Sequence, residues 1–292
     1  MKTIVFTNAR DEYLINEWIA HYILLGFTKI YIYDHLSIKP IKETAKIFID
    51  SKQYKDRINI QRVDRLLFQK SKVYLNSFII AKEQGYDWCL YVDADEFLYL
   101  KNFDNIEDYI KWYSLSKPNA IQIGIPWVMF GSNGHNLPPE KDILSNFVKS
   151  AEFNNIHIKV LCNVKNMNLS NVPISEPHYI KFNNYLIYSF LSDFSDFNKT
   201  QSWKFDNKYN SLTLDVYIAH YQNQSYQTYL ERKVYRDNDN CPNRRFPNYQ
   251  QEYFHKIFND INNFGPRDKY ANKIQNLLVE IEIENENETI KS

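Results

Sequence analysis

An apolar run that breaks into three carboxylates constrains this chain more than any other stretch. In residues 88–100, WCLYVDADEFLYL, the run Trp88, Cys89, Leu90, Tyr91 and Val92 stops at Asp93, Asp95 and Glu96 before Phe97 and Leu98 restore hydrophobicity. A buried strand that ends this way suits a mouth holding a charge-demanding ligand. Asp93 and Asp95 lie two apart, so they share a face in an extended backbone, and in a turn both carboxylates can converge on one hard cation. Mn²⁺ or Mg²⁺ bridging to phosphate oxygens fits that chemistry. The competing reading is a helix cap followed by a first-turn acid.

The flanking sequence supplies a frame for the acids. Residues 3–7 (TIVFT) read as a strand, and Leu14, Trp18, Ile19, Tyr22 and Leu25 recur at helical spacing until Gly26, placed as a C-terminal cap. Residues 29–33 (KIYIY) form a second strand ending in Asp34; Pro40 opens a helix carrying Ile41, Ala45, Phe48 and Ile49. A third strand at 58–63, a helix at 69–84 closed by Gly85, and a fourth strand at 88–92 follow. Alternating strand and helix predicts a doubly wound α/β fold with a mostly parallel sheet, whose ligands bind beyond the carboxyl ends of the strands. Thr7, Asn8 and Arg10, then Asp34, then Asp93 and Asp95 all fall at that edge.

The second half reads differently. After a helix at 104–116, residues 120–127 (AIQIGIPW) alternate as a strand and run into FGSNGH at 130–135, where two glycines signal either close backbone approach to a ligand or an ordinary turn. Residues 156–164, 185–190 and 214–219 are strand-like, and their non-helical connections predict antiparallel pairing. Ser225 caps a helix at 225–235, and the acidic stretch 280–288 reads as a fraying helix end. The expected division is one domain over 1–240 and a helical appendage with an acidic tail over 241–292.

Composition narrows the function classes. The 35 Lys+Arg balance 35 Asp+Glu, so no basic field points to nucleic acid. Three widely spaced cysteines, Cys89, Cys162 and Cys241, form neither a metal motif nor a disulfide framework, which favours a reducing compartment. With no signal-peptide core and no apolar span of about 20 residues, a cytoplasmic chain without a transmembrane segment is expected. Oligomeric state is not legible.

Four stretches, taken in order, resemble glycosyltransferase family 92 and its family 2-like relatives: TNARDEYLINEWIAHYILLGFTKIYIYDHLS at 7–37, WCLYVDADEFL at 88–98, WVMFGSNGH at 127–135 and IAHYQNQSYQTYLERKVYRD at 218–237. The resemblance implies a GT-A fold, a UDP-sugar as donor, a glycan or glycoconjugate acceptor, and Mn²⁺ or Mg²⁺. It implies Asp95 as direct metal ligand, Asp93 nearer the ribose or the metal's waters, and His220 as third protein ligand; Asp34 would bond the nucleobase. Arg10 and Glu12 would flank the nucleotide, Gln69 would precede the donor-side helix, and Trp127, Gly131, Ser132 and His135 would face the acceptor. His178 falls near a family position, although a lone histidine is commonly structural. Gln224 stands where the family usually carries a lysine, so Lys233 or Arg236 takes over neutralisation of the leaving diphosphate.

Inverting transfer needs a base on the acceptor side. Glu140, after the FGSNGH loop, is the candidate, with Asp142 behind it; either is also an ordinary helix-start acid. A metal-dependent phosphohydrolase using the D-x-D acids, and a non-catalytic glycan-binding protein of the same fold, are the rival readings. In the former the motif normally follows the first strand, whereas here it follows the fourth.

Overall fold

Strands that bury apolar side chains on both faces must lie inside a layered sheet, and the first strands of this chain meet that condition. The computed structural model describes residues 1–63, 70–168, 178–180, 189–193, 205–206, 208–236 and 246–291. The strands are β1 (Thr3–Ala9), β2 (Lys29–Asp34), β3 (Ile58–Arg62), β4 (Trp88–Tyr91), β5 (Glu96–Leu100), β6 (Gln122–Met129), β7 (Lys149–Ser150), β8 (Ile158–Cys162), β9 (Ser189–Leu191), β10 (Val216–His220) and β11 (Ile261–Asn262). One sheet runs β3-β2-β1-β4-β8-β6-β10-β5, with β9 also on β6; β7 and β11 form a small antiparallel pair. The quartet β3-β2-β1-β4 is parallel, so Ala9, Asp34 and the end of β4 reach one edge together. This is the doubly wound α/β arrangement expected, with a Rossmann-like GT-A architecture.

Several elements depart from the sequence reading. The Pro40 helix is two short pieces, Ile41–Thr44 and Lys46–Asp50. The chain at β9 runs parallel to β6, not antiparallel, and β10 is parallel to β6 while antiparallel to β5. Residues 185–188 of the expected strand lie outside the described residues. The acidic C-terminal stretch belongs to a helix spanning Asn272–Lys291, whose Ile274, Leu277 and Ile281 enter the main core beside Trp18 and Tyr22.

No helix follows the D-x-D acids. They form a turn, closed by Glu96 N–H to the Asp93 carbonyl (3.0 Å), between β4 and β5. Four strand spacings separate β4 from β5 in the sheet order, about 19 Å were the sheet flat, whereas the five residue steps from Tyr91 to Glu96 span at most about 18 Å even when extended. A tight turn there requires the sheet to curl, and the curl carries the ends of β4 and β10 toward each other.

β5 ends the sheet order, yet it is buried throughout, so its unpaired backbone edge needs partners. Side chains supply them. From the Ile15–Leu24 helix, Trp18 Nε1–H and Tyr22 O–H donate to the Glu96 carbonyl (3.0 and 3.1 Å), and Tyr22 Oη accepts from Leu98 N–H (3.2 Å). His21 Nε2–H donates to the Leu98 carbonyl (3.0 Å); burial pushes that imidazole down to about 3, so it is neutral. Tyr270 Oη accepts from Leu100 N–H (3.1 Å), and Lys269 donates to the carbonyls of Leu100, Lys101 and Phe103.

Glu17 performs a related service. Its carboxylate, 4% exposed, accepts from Ile143 N–H (2.6 Å) and Leu144 N–H (3.0 Å) and ties the segment after FGSNGH to the first helix. Burial raises its pKa to about 7, although those two hydrogen bonds pull the other way.

Two expectations follow from these contacts. Tyr22→Phe strands the buried Leu98 N–H and should cost about 1–3 kcal/mol in urea unfolding; an unchanged midpoint would show that β5 does not depend on this bond. Glu17 binds its proton more tightly in the folded state, so its contribution to stability falls as pH rises from about 4.5 to 7, by roughly 3 kcal/mol at most. His21 and His178, both pushed down to about 3 by burial, act oppositely between about pH 3 and 6.5. The informative quantity is therefore the stability difference between wild type and Glu17→Gln, which should shift in the variant's favour by that amount over pH 4.5 to 7.

Candidate active site

The curl gathers the D-x-D turn, the end of β1 and the end of β10 around one open cavity. Asn8, Arg10 and Glu12 line it from the β1 loop, and Asp93, Ala94 and Asp95 from the turn. Lys70 comes from the Lys70–Glu83 helix, His220 and Gln222 from β10 and its continuation, and Arg232, Lys233, Arg236 and Phe246 close the far wall. Five basic side chains there outnumber three acidic ones, so the cavity carries an excess of positive charge at the carboxyl edge of the sheet.

Each D-x-D acid has its own cations. Asp93 Oδ1 accepts from Lys70 Nζ (2.5 Å) and Oδ2 from Lys159 Nζ (3.1 Å). Burial works against its charge, but Lys159 and Lys70 outweigh burial and hold it well below the usual carboxylate range. Asp95 is buried, with Lys233 Nζ 3.8 Å from Oδ2 and His220 Nε2 3.5 Å from Oδ1. Burial again opposes ionisation, and Lys233, His220 and Arg232 override it. Lys159, 1% exposed on β8, also reaches Glu96 Oε2 (3.3 Å), which accepts from Asp93 N–H (2.9 Å). Burial raises the Glu96 carboxyl to about 7 despite that ammonium.

The far wall is latched to the β1 loop. Arg232 pairs with Glu12, and Arg236 with Asp11 and the Arg10 carbonyl. Burial raises the Glu12 pKa, offset in part by Arg232. Asp11 holds φ +54°, a left-handed conformation uncommon outside glycine, while its Oδ1 accepts from Ile38 N–H (2.6 Å).

The donor set fits a cation in part. Asp95 Oδ1 and His220 Nε2 face each other, and a carboxylate oxygen opposite an imidazole nitrogen suits a borderline ion such as Mn²⁺. Asp93 is satisfied by two lysines instead. Among the described residues no group of three or more His, Cys, Asp or Glu side chains is arranged to hold a metal.

Other expected residues go elsewhere. Thr7 is buried, and its hydroxyl donates to the Asn8 carbonyl (3.3 Å). Asp34, 2% exposed, accepts from Ser37 N–H (2.9 Å), Ile41 N–H (3.2 Å) and Arg62 (3.2 Å), and closes the turn after β2 rather than lining the cavity. Gln69 lies outside the described residues. Gly131 packs so tightly on the C-terminal segment that a Cβ would lie 2.4 Å from Asn259 Nδ2, and Ser132 Oγ donates to His255 Nδ1 (2.7 Å). His135 sits on Phe147. The FGSNGH loop therefore anchors the 255–259 segment, which accounts for its glycine and serine, and none of its residues lines the cavity.

Trp127 lies behind the site, its ring 4.4 Å from that of His220, with His157 and His178 at 5.2 Å each. His178 Nδ1 donates to the Ile158 carbonyl (3.0 Å), a structural role. Glu140 is exposed and outside the cavity; Asp142 accepts from Gln275 Nε2. Gln224 is buried and does not line the cavity, whereas Lys233 and Arg236 do. Lys70, Lys159, Arg232 and Glu96 were missed as site residues. A lysine inside the wholly buried run IKVLC of β8 was the available signal for Lys159.

The curled mixed sheet with a charged cavity at its carboxyl edge defines a GT-A-type α/β protein. The chain belongs to glycosyltransferase family 92, whose family model matches residues 1–262 of the 292. It is similar to a glycosyltransferase family 92 protein of Oryza sativa subsp. japonica, 23% identical over 133 residues that cover 46% of this chain and 22% of the relative. A family 92 protein of Ricinus communis is 24% identical over 140 residues, covering 44% and 22%. The matched stretch thus spans about a fifth of these relatives' length. Among the described residues no helix is long and apolar enough to cross a membrane.

The lysine bridge yields a direct test. Lys159→Met removes the ammonium that compensates Asp93 and Glu96 inside the protein, and should cost about 3–5 kcal/mol in chemical denaturation. A loss below about 1 kcal/mol, the range of an exposed pair, would show that the bridge is not buried in solution.

Proposed function

We propose that this chain is a metal-dependent glycosyltransferase that moves a sugar from a nucleotide diphosphate donor, a UDP-sugar, to a hydroxyl of a glycan or glycoconjugate acceptor, with inversion at the anomeric carbon. Family membership supports the reaction class. The observation that carries the donor assignment is the charge layout of the cavity, in which Asp95 and His220 stand opposite a wall of Arg232, Lys233 and Arg236.

A diphosphate leaving group accumulates negative charge as the glycosidic bond breaks, and groups aimed at that charge lower the barrier. Arg232 and Lys233 come from the helical segment Leu230–Val234 and Arg236 from the bend that follows it, and all three can offer charge-assisted hydrogen bonds to phosphate oxygens, the arginines in bidentate form. Arg232 and Arg236 already have carboxylate partners, so a diphosphate would compete with Glu12 and Asp11 for them. Asp95 and His220 would hold the metal ion, which as a Lewis acid supplies further charge stabilisation to the departing phosphate. Lys70 and Lys159 keep Asp93 ionised and fixed at the rim, where it can meet the ribose or the metal's waters.

The phosphohydrolase alternative fits these contacts less well. It requires an aspartate free to attack phosphorus, whereas both oxygens of Asp93 are taken by ammonium groups.

Thermal melting with Mn²⁺ and UDP tests the proposal. At 100 times its Kd a ligand adds about 2.7 kcal/mol, roughly 5 °C for a chain of this size. The wild type should show that rise only with metal and UDP together, and should hydrolyse or transfer from a UDP-sugar in a panel of nucleotide sugars. Asp95→Asn and His220→Gln, which keep side-chain volume, should lose the metal-dependent rise. Equal rises with and without Mn²⁺ would remove metal dependence, and a response to other nucleoside diphosphates but not UDP would overturn the donor assignment.

A further inference from the structure

Beyond Lys233 the far wall of the cavity turns aromatic. Phe246 lines the cavity, its N–H donates to the Lys233 carbonyl (3.1 Å), and its ring centre lies 5.8 Å from Lys233 Nζ. From there residues 246–253 run as FPNYQQEY. This segment is anchored from beneath: Tyr229 O–H donates to the Pro247 carbonyl (2.7 Å), Tyr226 O–H donates to the Tyr249 carbonyl (2.9 Å), and the Tyr249 ring stacks on that of Tyr229 at 6.0 Å and 16°. Tyr229, Val234 and Phe254 are the buried cluster under it. Gln251 Nε2 donates to Asn136 Oδ1, next to the FGSNGH loop, and ties down the other end. Tyr253, 56% exposed, sets its ring 5.1 Å from that of Tyr249.

We propose that Phe246, Tyr249 and Tyr253 form a track that binds a neutral glycan chain; that this chain is the acceptor rests on the transferase reading above. The run 246–251 carries no charged side chain, so the track offers nothing to the phosphates that suit the cavity's cations. Sugar rings present apolar C–H faces that stack on aromatic rings, and their hydroxyls pair with amides, which the exposed Asn248 and Gln250 supply between the rings. The 5.1 Å step from Tyr249 to Tyr253 is close to the length of one pyranose unit along a chain. Backbone anchors at Phe246, Pro247 and Tyr249 leave little to be ordered on binding. Packing does not account for the outer ring, because more than half of Tyr253 meets solvent while Tyr229, Val234 and Phe254 are buried without its cover. Phe246 belongs to both track and cavity, so a chain lying on the rings has its end directed to Lys233, 3.8 Å from Asp95 Oδ2.

Three variants separate the parts of the track. Tyr253→Ala removes the outer ring and leaves every backbone anchor in place, whereas Tyr253→Phe keeps the stacking face. Phe246→Ala reports on the inner end, where the track meets the cavity.

The experiment presents the full chain to an array of defined neutral oligosaccharides, from monosaccharides to hexasaccharides, and titrates the best-retained series by calorimetry; the melting response to UDP with Mn²⁺ is read in the same proteins. Wild-type affinity should grow with chain length. Tyr253→Ala should weaken binding of the longer chains about 3–10-fold, the loss of one stacked ring, and Tyr253→Phe should bind them as the wild type does. A wild type that retains no oligosaccharide or holds all lengths equally, or a Tyr253→Ala that binds long chains undiminished, would overturn the track. So would a Phe246→Ala that loses the UDP response yet holds oligosaccharides normally, since that ring would then serve the nucleotide; should this variant fail to fold, Tyr253→Ala decides alone. If oligosaccharide binding follows the rings but no protein responds to UDP and Mn²⁺, the transferase reading fails while the track stands as a glycan-binding surface.

Discussion

The buried edge of β5 is the constraint on which the site depends. A strand at the end of a sheet normally exposes its unpaired N–H and C=O groups or blunts them with charge, yet β5 sits inside the protein. Its Glu96, Leu98 and Leu100 backbone groups are met by Trp18, His21, Tyr22, Tyr270 and Lys269, side chains from the first helix and from the start of the C-terminal helical segment. These substitute for a missing neighbouring strand. Because β5 begins at the D-x-D turn, fixing its edge also fixes where Asp93 and Asp95 can stand.

Electrostatics in the turn follows from that placement. Carboxylates this close together inside a protein would repel one another and shed charge by binding protons. Three ammonium groups prevent this at the two aspartates: Lys70 and Lys159 at Asp93, and Lys233 at Asp95. Glu96, deeper and sharing Lys159, retains a much higher proton affinity, with its pKa raised to about 7 by burial. The sheet thus separates neighbouring acids into strongly ionised ones at the cavity and a less acidic one beneath it. Buried charge of this kind contributes little net stability; its consequence is a fixed arrangement.

The far wall completes the cavity by long-range contacts. Glu12–Arg232 and Asp11–Arg236 join the loop after β1 to a segment more than 200 residues later, and Gly131 and Ser132 anchor the 255–259 segment from another direction. The FGSNGH loop therefore reads as a signal of close backbone approach, and the group that approaches is this chain's own C-terminal segment.

By itself the sequence determined the parallel α/β order of the first 92 residues, the caps at Gly26 and Gly85, and the convergence of Asn8, Arg10, Asp93 and Asp95 on one cavity. Apolar periodicity, glycine caps and a polar break in a strand are local signals, and local physics suffices to read them. Tertiary structure decided the strand identity of residues 96–100, the parallel pairing of β9, the lysine clamp on Asp93, and the assignment of Asp34, Gly131 and Ser132 to turns and packing. Each of these rests on contacts between residues distant in the chain, such as Trp18 with Glu96 or Lys159 with Asp93, and neither composition nor spacing encodes which buried donor will meet which acceptor.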